Sequence, residues 1–225
     1  MTTTGWVASP RRCAEKMNDK ISLAIPSGIS AIEEDTKKSG FSMASDHQTG
    51  VLLRTLAATK PRGRFLELGT GTGLSTCWIL DGMDQDSTLE TVDNDSALVD
   101  IAKRHLDSDP RVSFSVQDGS EFLKDRQRGQ YDLIFADTWP GKYWDLEVAL
   151  DLLRPSGIYV IDDMLPQDSW PQHHFPKVAK LIETLEGLKG FHHVKMRWST
   201  GIIIVTKAQP AAVGNGCSAP LHTHA

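Results

Sequence analysis

The sequence predicts an α/β fold: a Rossmann-like, doubly wound and mostly parallel seven-stranded sheet that ends in an antiparallel hairpin. Three observations predict it. Short apolar runs alternate with helical patterns along most of the chain, which is how βα units and a parallel sheet read in sequence. One run, Arg64 to Leu68, passes directly into Gly69-Thr70-Gly71-Thr72-Gly73 and then into a helical pattern (Leu74, Trp78, Ile79, Leu80). The last two runs, His192 to Trp198 and Ile202 to Val205, bracket Ser199-Thr200-Gly201 as a hairpin does.

In chain order, residues 1 to about 20 are polar and mixed and read as a flexible arm or a weakly anchored helix. Ile21 to Lys38 has a helical pattern interrupted at Pro26-Ser27-Gly28. Ser45 and Gln48 stand at capping-box spacing before a helix with Val51, Leu52, Leu56 and Ala57 on one face, which stops before Pro61. Strands follow at Arg64–Leu68, Leu89–Asp93, Val112–Val116, Tyr131–Asp137 and Ile158–Asp162. The fourth is nearly continuous in apolar residues, as buried parallel strands are. Helices are expected over Ser96–His105, over Tyr143–Leu153 with Pro155-Ser156-Gly157 closing it, and from about Lys177 to Leu188. Residues 1–39 thus form an N-terminal arm and helices, 40–207 one domain, and 208–225 an aperiodic, disordered tail.

At 225 residues the chain holds one substantial core. Hydrophobic and charged fractions of 40% and 24% are those of an ordinary globular domain. A formal charge of −5 without a basic stripe argues against a nucleic-acid partner. No apolar run reaches the ~18–20 residues that span a bilayer, and no signal-peptide pattern opens the chain. The three cysteines, Cys13, Cys77 and Cys217, are scattered and odd in number, as in a reduced, cytoplasmic protein.

Chemistry concentrates in the glycine turn. Glycine there permits positive φ and close approach of a ligand to the backbone, and the following helix offers unpaired N–H groups. A dinucleotide fingerprint is G-x-G-x-x-G. Here the pattern is Glu67-x-Gly69-x-Gly71-x-Gly73, and Leu74 stands where the third glycine would be. An acidic residue two positions before the first glycine suits a cationic ligand rather than a pyrophosphate, which speaks against a nicotinamide dehydrogenase. At these residues the chain resembles the class I S-adenosylmethionine-dependent methyltransferases. The resemblance implies that Glu67, Gly69, Thr70, Gly71, Gly73 and Ser75 surround the methionine part of the cofactor. Asp93, 20 residues after Gly73, has the position of an acceptor for the ribose hydroxyls. Asp118, with Gly119, matches the adenine contact, or else simply forms an Asp-Gly turn.

Asp93, Asp118, Asp137 and Asp162 all stand at strand ends, the edge where open parallel sheets bind ligands. The segments Phe135-Ala136-Asp137-Thr138-Trp139 and Val160-Ile161-Asp162-Asp163 resemble the metal-dependent small-molecule O-methyltransferases of the catechol and caffeoyl-coenzyme A type. That resemblance runs from about Gly40 to Lys207. It implies methyl transfer to a hydroxyl oxygen of a small molecule, with Asp137, Asp162 and Asp163 holding Mg²⁺ or another divalent cation. It also places Met43 beside the cofactor and extends to a homodimer through N-terminal segments, while Asp137 and Trp139, which follows it directly at the strand's carboxyl end, are read as further cofactor contacts. Two positions depart from the pattern. Asp163 replaces the family's Asn, and Pro140 stands where the catechol enzymes carry a catalytic Lys. Lys142 then either reaches back to serve as base or is a solvated surface lysine. His47, or the pair His173-His174, is the alternative base, since imidazole titrates near neutrality. The same fold would also serve a metal-independent nitrogen or carboxylate methyltransferase, or a cofactor-binding protein without transfer activity. The loop from Met164 to His174, rich in Trp, Pro and His, is where acceptor choice is expected.

Overall fold

The computed structural model describes residues 24–167 and 170–209. The arm expected over residues 1–20, most of the tail, Cys13, Cys217, His222 and His224 lie outside them, as does the N-terminal dimer contact.

The order of elements is α1 (Ile29–Ser39), α2 (His47–Ala58), β1 (Arg64–Leu68), α3 (Leu74–Gly82), β2 (Thr88–Asp93), α4 (Ser96–Leu106), β3 (Val112–Val116) and α5 (Gly119–Lys124). Then come β4 (Tyr131–Ala136), α6 (Leu146–Asp151), β5 (Leu153–Ile161), α7 (Phe175–Gly187), β6 (Phe191–Met196) and β7 (Ile202–Lys207). The strands form one seven-stranded sheet in the order β3-β2-β1-β4-β5-β7-β6. Strands β1 to β5 pair in parallel, while β7 runs antiparallel to both neighbours. The reversed strand is therefore one in from the edge, and the sheet's direction of winding changes between β1 and β4.

Alternation along the strands sends side chains to two cores. Leu66, Leu68, Ile134, Tyr159 and Val205 pack with α5, α6 and α7 on one face. Phe65, Leu133, Phe135, Val160 and Ile202 pack with α1, α2 and α3 on the other. Helices α2 and α3 cross so closely that a Cβ on Gly50 would stand 2.3 Å from the Trp78 ring.

Four local expectations give way. The cap of α2 is Asp46, whose side chain accepts from Thr49 N–H, and Ser45 is left free for another partner. The helix expected over Tyr143–Leu153 shrinks to α6, because Pro140 to Trp144 forms a tight bridged turn and Asp145 adopts a left-handed φ of 56°. Pro155-Ser156-Gly157 does not close that helix. It lies inside β5, where the ladder to β4 shifts register between Tyr131 and Leu133. The exit of β3 is not a bare turn but opens α5, capped by Asp118.

Candidate active site

The glycine turn lies at the carboxyl end of β1 and is braced from beneath. Gly69 N–H and Thr70 N–H both donate to Val92 O (2.9 and 3.2 Å), and Gly71 N–H donates to Asp93 Oδ2 (2.9 Å). Thr70 and Thr72 reach sideways to Thr91 and to Thr36 of α1. Gly69 has φ 103°, and a Cβ there would lie 2.9 Å from the carbonyl oxygen of Asp137. Side-chain-free backbone at this point lets the exits of β1 and β4 touch.

Glu67 does not face an open turn; it lies fully buried below it. Its Oε2 accepts from Thr76 Oγ1 (2.5 Å) and Thr91 Oγ1 (2.7 Å), while Oε1 has no partner among the described residues. Burial pushes its pKa up to about 7, against the hydroxyls of Ser75, Thr76 and Thr91. The buried Oε1 without a donor fits a ligand with an amine, and the Phe41 ring covers the turn at Gly71, where a Cβ would meet it at 3.2 Å. Phe41 carried no sequence signal beyond its place in an irregular stretch. Met43, by contrast, is 76% exposed.

Asp93 and Asp118 are both occupied by the backbone. Asp93 Oδ1 accepts from Asp95 N–H, and Asp118 Oδ1 accepts from Ser120 and Glu121 N–H at the start of α5. Each keeps lone pairs for a ligand. Gly119 packs against Pro140: a Cβ there would meet it at 3.0 Å.

At the ends of β4 and β5, Asp137 Oδ2 accepts from Ser45 Oγ (3.0 Å), and Asp162, 2% exposed, accepts at Oδ1 from Thr200 Oγ1 (2.5 Å) and Asp163 N–H (2.8 Å). Burial and then the charge of Asp162 raise the Asp137 pKa well above the usual carboxylate range. Burial raises that of Asp162 to about 6, against the Thr200 hydroxyl. The expected metal triad is not assembled. Among the described residues no three His, Cys, Asp or Glu side chains converge as a metal-binding group. Asp163 sits in a left-handed turn (φ 57°), with its N–H folded back onto Asp162. The donor set does not fit a three-carboxylate dication site.

Lys142 is no solvated lysine: it is 5% exposed and its charge lowers the pKa of both Asp137 and Asp162. His47, the alternative base, bonds Glu33 Oε1 at 2.7 Å on the surface and lies edge-on to Trp78, so it is not among these aspartates' partners. His173 is exposed, whereas His174 is buried, bonds the Tyr143 hydroxyl (3.0 Å) and has its pKa lowered by burial and by Lys142. Around it stand Trp139, Tyr143 and Trp170, with Trp170 4.4 Å from the His174 ring. Trp139 is 40% exposed and carries the Lys177 ammonium 3.9 Å from its ring centroid. This aromatic cluster borders the aspartates through the Trp139–Tyr143 turn.

Residues 66–164 match a family model described as a methyltransferase domain. A Mycobacterium avium protein, provisionally named as an O-methyltransferase, is 32% identical over 117 residues, covering 50% of this chain and 53% of that one. The chain therefore spans about half the length of the curated relatives it matches. Among solved structures, the Streptomyces achromogenes O-methyltransferase TomG, involved in tomaymycin synthesis and in complex with SAM, superposes with a TM-score of 0.71 at 20% identity over 85% of this chain and 94% of that one. A Bacillus cereus O-methyltransferase in complex with SAH gives 0.73 at 16% identity over 87% and 97%. The glycine turn and the sheet order agree with the match over residues 66–164: this part of the chain is similar to a methyltransferase domain.

Proposed function

We propose that the protein transfers the methyl group of S-adenosylmethionine to a hydroxyl oxygen of a small aromatic molecule. One observation carries the reading: the contact between Gly69 and the Asp137 backbone sets the ligand turn directly beside the half-buried Asp137 and the buried Asp162. The domain match and the SAM-bound structures of the same fold support it. In this reading the backbone of Gly69, Thr70 and Gly71, with Glu67 Oε1 beneath, holds the amino-acid part of the cofactor, and Ser75 at the start of α3 adds a hydroxyl. Asp93 takes the ribose and Asp118, beside Gly119, the adenine. Bound there, the cofactor supplies an electrophilic methyl carbon on a sulfonium.

Trp139, Tyr143 and Trp170 form a wall for a flat acceptor and exclude water from it. The acceptor's O–H proton passes to Asp137 Oδ1, the oxygen that Ser45 leaves free, because a carboxylate with a raised pKa is a stronger base. The aromatic wall and Asp137 would hold the freed oxygen in line with that methyl carbon, whose transfer would leave the sulfur uncharged. Positioning in line is the main catalytic demand of such a displacement. No described helix is long and apolar enough to cross a membrane, and the scattered cysteines support a reducing, cytoplasmic setting. Calorimetric titration with S-adenosylmethionine, followed by mass spectrometry of catechol incubated with protein and cofactor, tests the reading. One-to-one cofactor binding and a gain of one methyl by catechol are expected. Absence of cofactor binding overturns it.

A further inference from the structure

We propose that the ammonium of Lys142 is the resident cation of the acceptor site, taking the place of a divalent metal beside Asp137 and Asp162. The inference rests on the methyl-transfer reading above and deepens it. A lysine that is 5% exposed must be compensated by charge or hydrogen bonds. Yet no described residue hydrogen-bonds or ion-pairs with Lys142 Nζ, whose recorded neighbour is the face of the Tyr143 ring, 5.5 Å from its centroid. The ammonium thus stands beyond 4 Å from the carboxylates whose charge it offsets, leaving a gap between the two. An acceptor hydroxyl in that gap would give its proton to a carboxylate and its developing negative charge to the ammonium.

The lysine is held inward by its backbone. Lys142 N–H and Tyr143 N–H both donate to Trp139 O (3.1 and 2.9 Å), and Gly141 N–H donates to Trp144 O (2.8 Å). Gly141 O accepts from the buried Tyr159 hydroxyl at 2.8 Å. At φ 83°, Gly141 has space for no side chain, since a Cβ would lie 2.6 Å from both Leu68 and Tyr159. Lys142 also lines a cavity of about 660 Å³ between α6 and α7, with Tyr143, Trp144, Lys177 and Lys180, on a side that Asp137 and Asp162 do not line. The aspartates, for their part, are committed to neutral donors: Asp137 to Ser45, and Asp162 to Thr200 and the Asp163 N–H. Asp163 does not complete a metal-binding group with them.

The substrate class follows. A single positive charge acidifies a bound hydroxyl less than a dication does, so the acceptor is a phenol or an enol rather than an aliphatic alcohol.

The test is titration of EDTA-treated protein with Mn²⁺ alone, followed by electron paramagnetic resonance, beside catechol methylation with and without EDTA. Wild type is expected to show no one-to-one Mn²⁺ site and no loss of methylation in EDTA. Lys142→Met is expected to lose about 100-fold in kcat, as when an oxyanion-stabilising donor is removed, with S-adenosylmethionine affinity unchanged and partial recovery in Lys142→Arg. A stoichiometric Mn²⁺ site in wild type, or loss in EDTA restored by Mg²⁺, overturns the proposal, and neither result depends on the variants folding. Failure of S-adenosylmethionine to bind would instead remove the methyl-transfer reading and leave the Mn²⁺ titration to decide this one.

Discussion

Glu67 is a carboxyl group with the hydroxyls of Ser75, Thr76 and Thr91 for company and no compensating cation among the described residues. With its pKa raised from 4.5 to about 7, the folded protein binds a proton that the unfolded chain has already lost between those values. Stability therefore falls as pH rises through that window, by up to about 3 kcal/mol. Glu67→Gln removes the titration, and urea midpoints measured from pH 5 to 8 should flatten relative to wild type. Asp93 serves a different end, because it holds Gly71 N–H and, in the proposed reading, accepts from the ribose as well. Asp93→Ala should weaken S-adenosylmethionine binding about 10- to 100-fold by calorimetry, the loss of one to two charge-assisted hydrogen bonds. The positions of both residues were legible, since an acidic residue at a strand end is a pattern of spacing. What each side chain bonds was not. Whether Glu67 faces the turn or lies beneath it depends on the threonines of α3 and β2, and the burial of Lys142 depends on a turn closed by Tyr159, 17 residues further on.

Helices and strands with many apolar residues came through the sequence well, and the short pieces did not. Six-residue α5 and α6 have too few turns to show a period, and tertiary contacts decide their ends. The β5 strand runs through Pro155-Ser156-Gly157, which local turn chemistry would terminate, because the buried ladder to β4 resumes past it at Ile158. The crossing of α2 on α3 leads to a prediction at this scale. Gly50→Ala would push a methyl into the Trp78 ring and should cost about 1–3 kcal/mol of unfolding free energy in urea. The Trp139–Trp144 turn leads to another. Trp139→Ala removes the face that Lys177 covers and should raise KM for catechol about tenfold, with cofactor affinity unchanged. Fluorescence titration and steady-state kinetics separate the two effects.

Over the whole molecule, the change of winding between β1 and β4 gathers the glycine turn and the aspartates at one edge, as open parallel sheets do. The fold class and the reversed strand were legible from the rhythm of the elements. A dication triad was the expectation that rested on resemblance alone, and the side-chain geometry does not assemble it. Binding only to the folded form stabilises by mass action. S-adenosylmethionine at 100 times its Kd should therefore raise the melting temperature by about 5–10 °C in differential scanning fluorimetry, given about 2.7 kcal/mol and a chain of this size.

The hairpin turn between β6 and β7 ties the two ends of the domain together. Trp198 Nε1–H donates to Gln48 O of α2, Ser199 Oγ to Asp46 Oδ2, and Thr200 Oγ1 to Asp162 Oδ1. During synthesis, residues 191–207 leave the ribosome last among the described elements. Until they dock, β5 has an open flank and Asp162 lacks its hydroxyl donor. A nascent chain halted before Trp198 holds every residue of the glycine turn yet lacks the donors to Gln48, Asp46 and Asp162, so the proposed acceptor site is finished only after the hairpin docks.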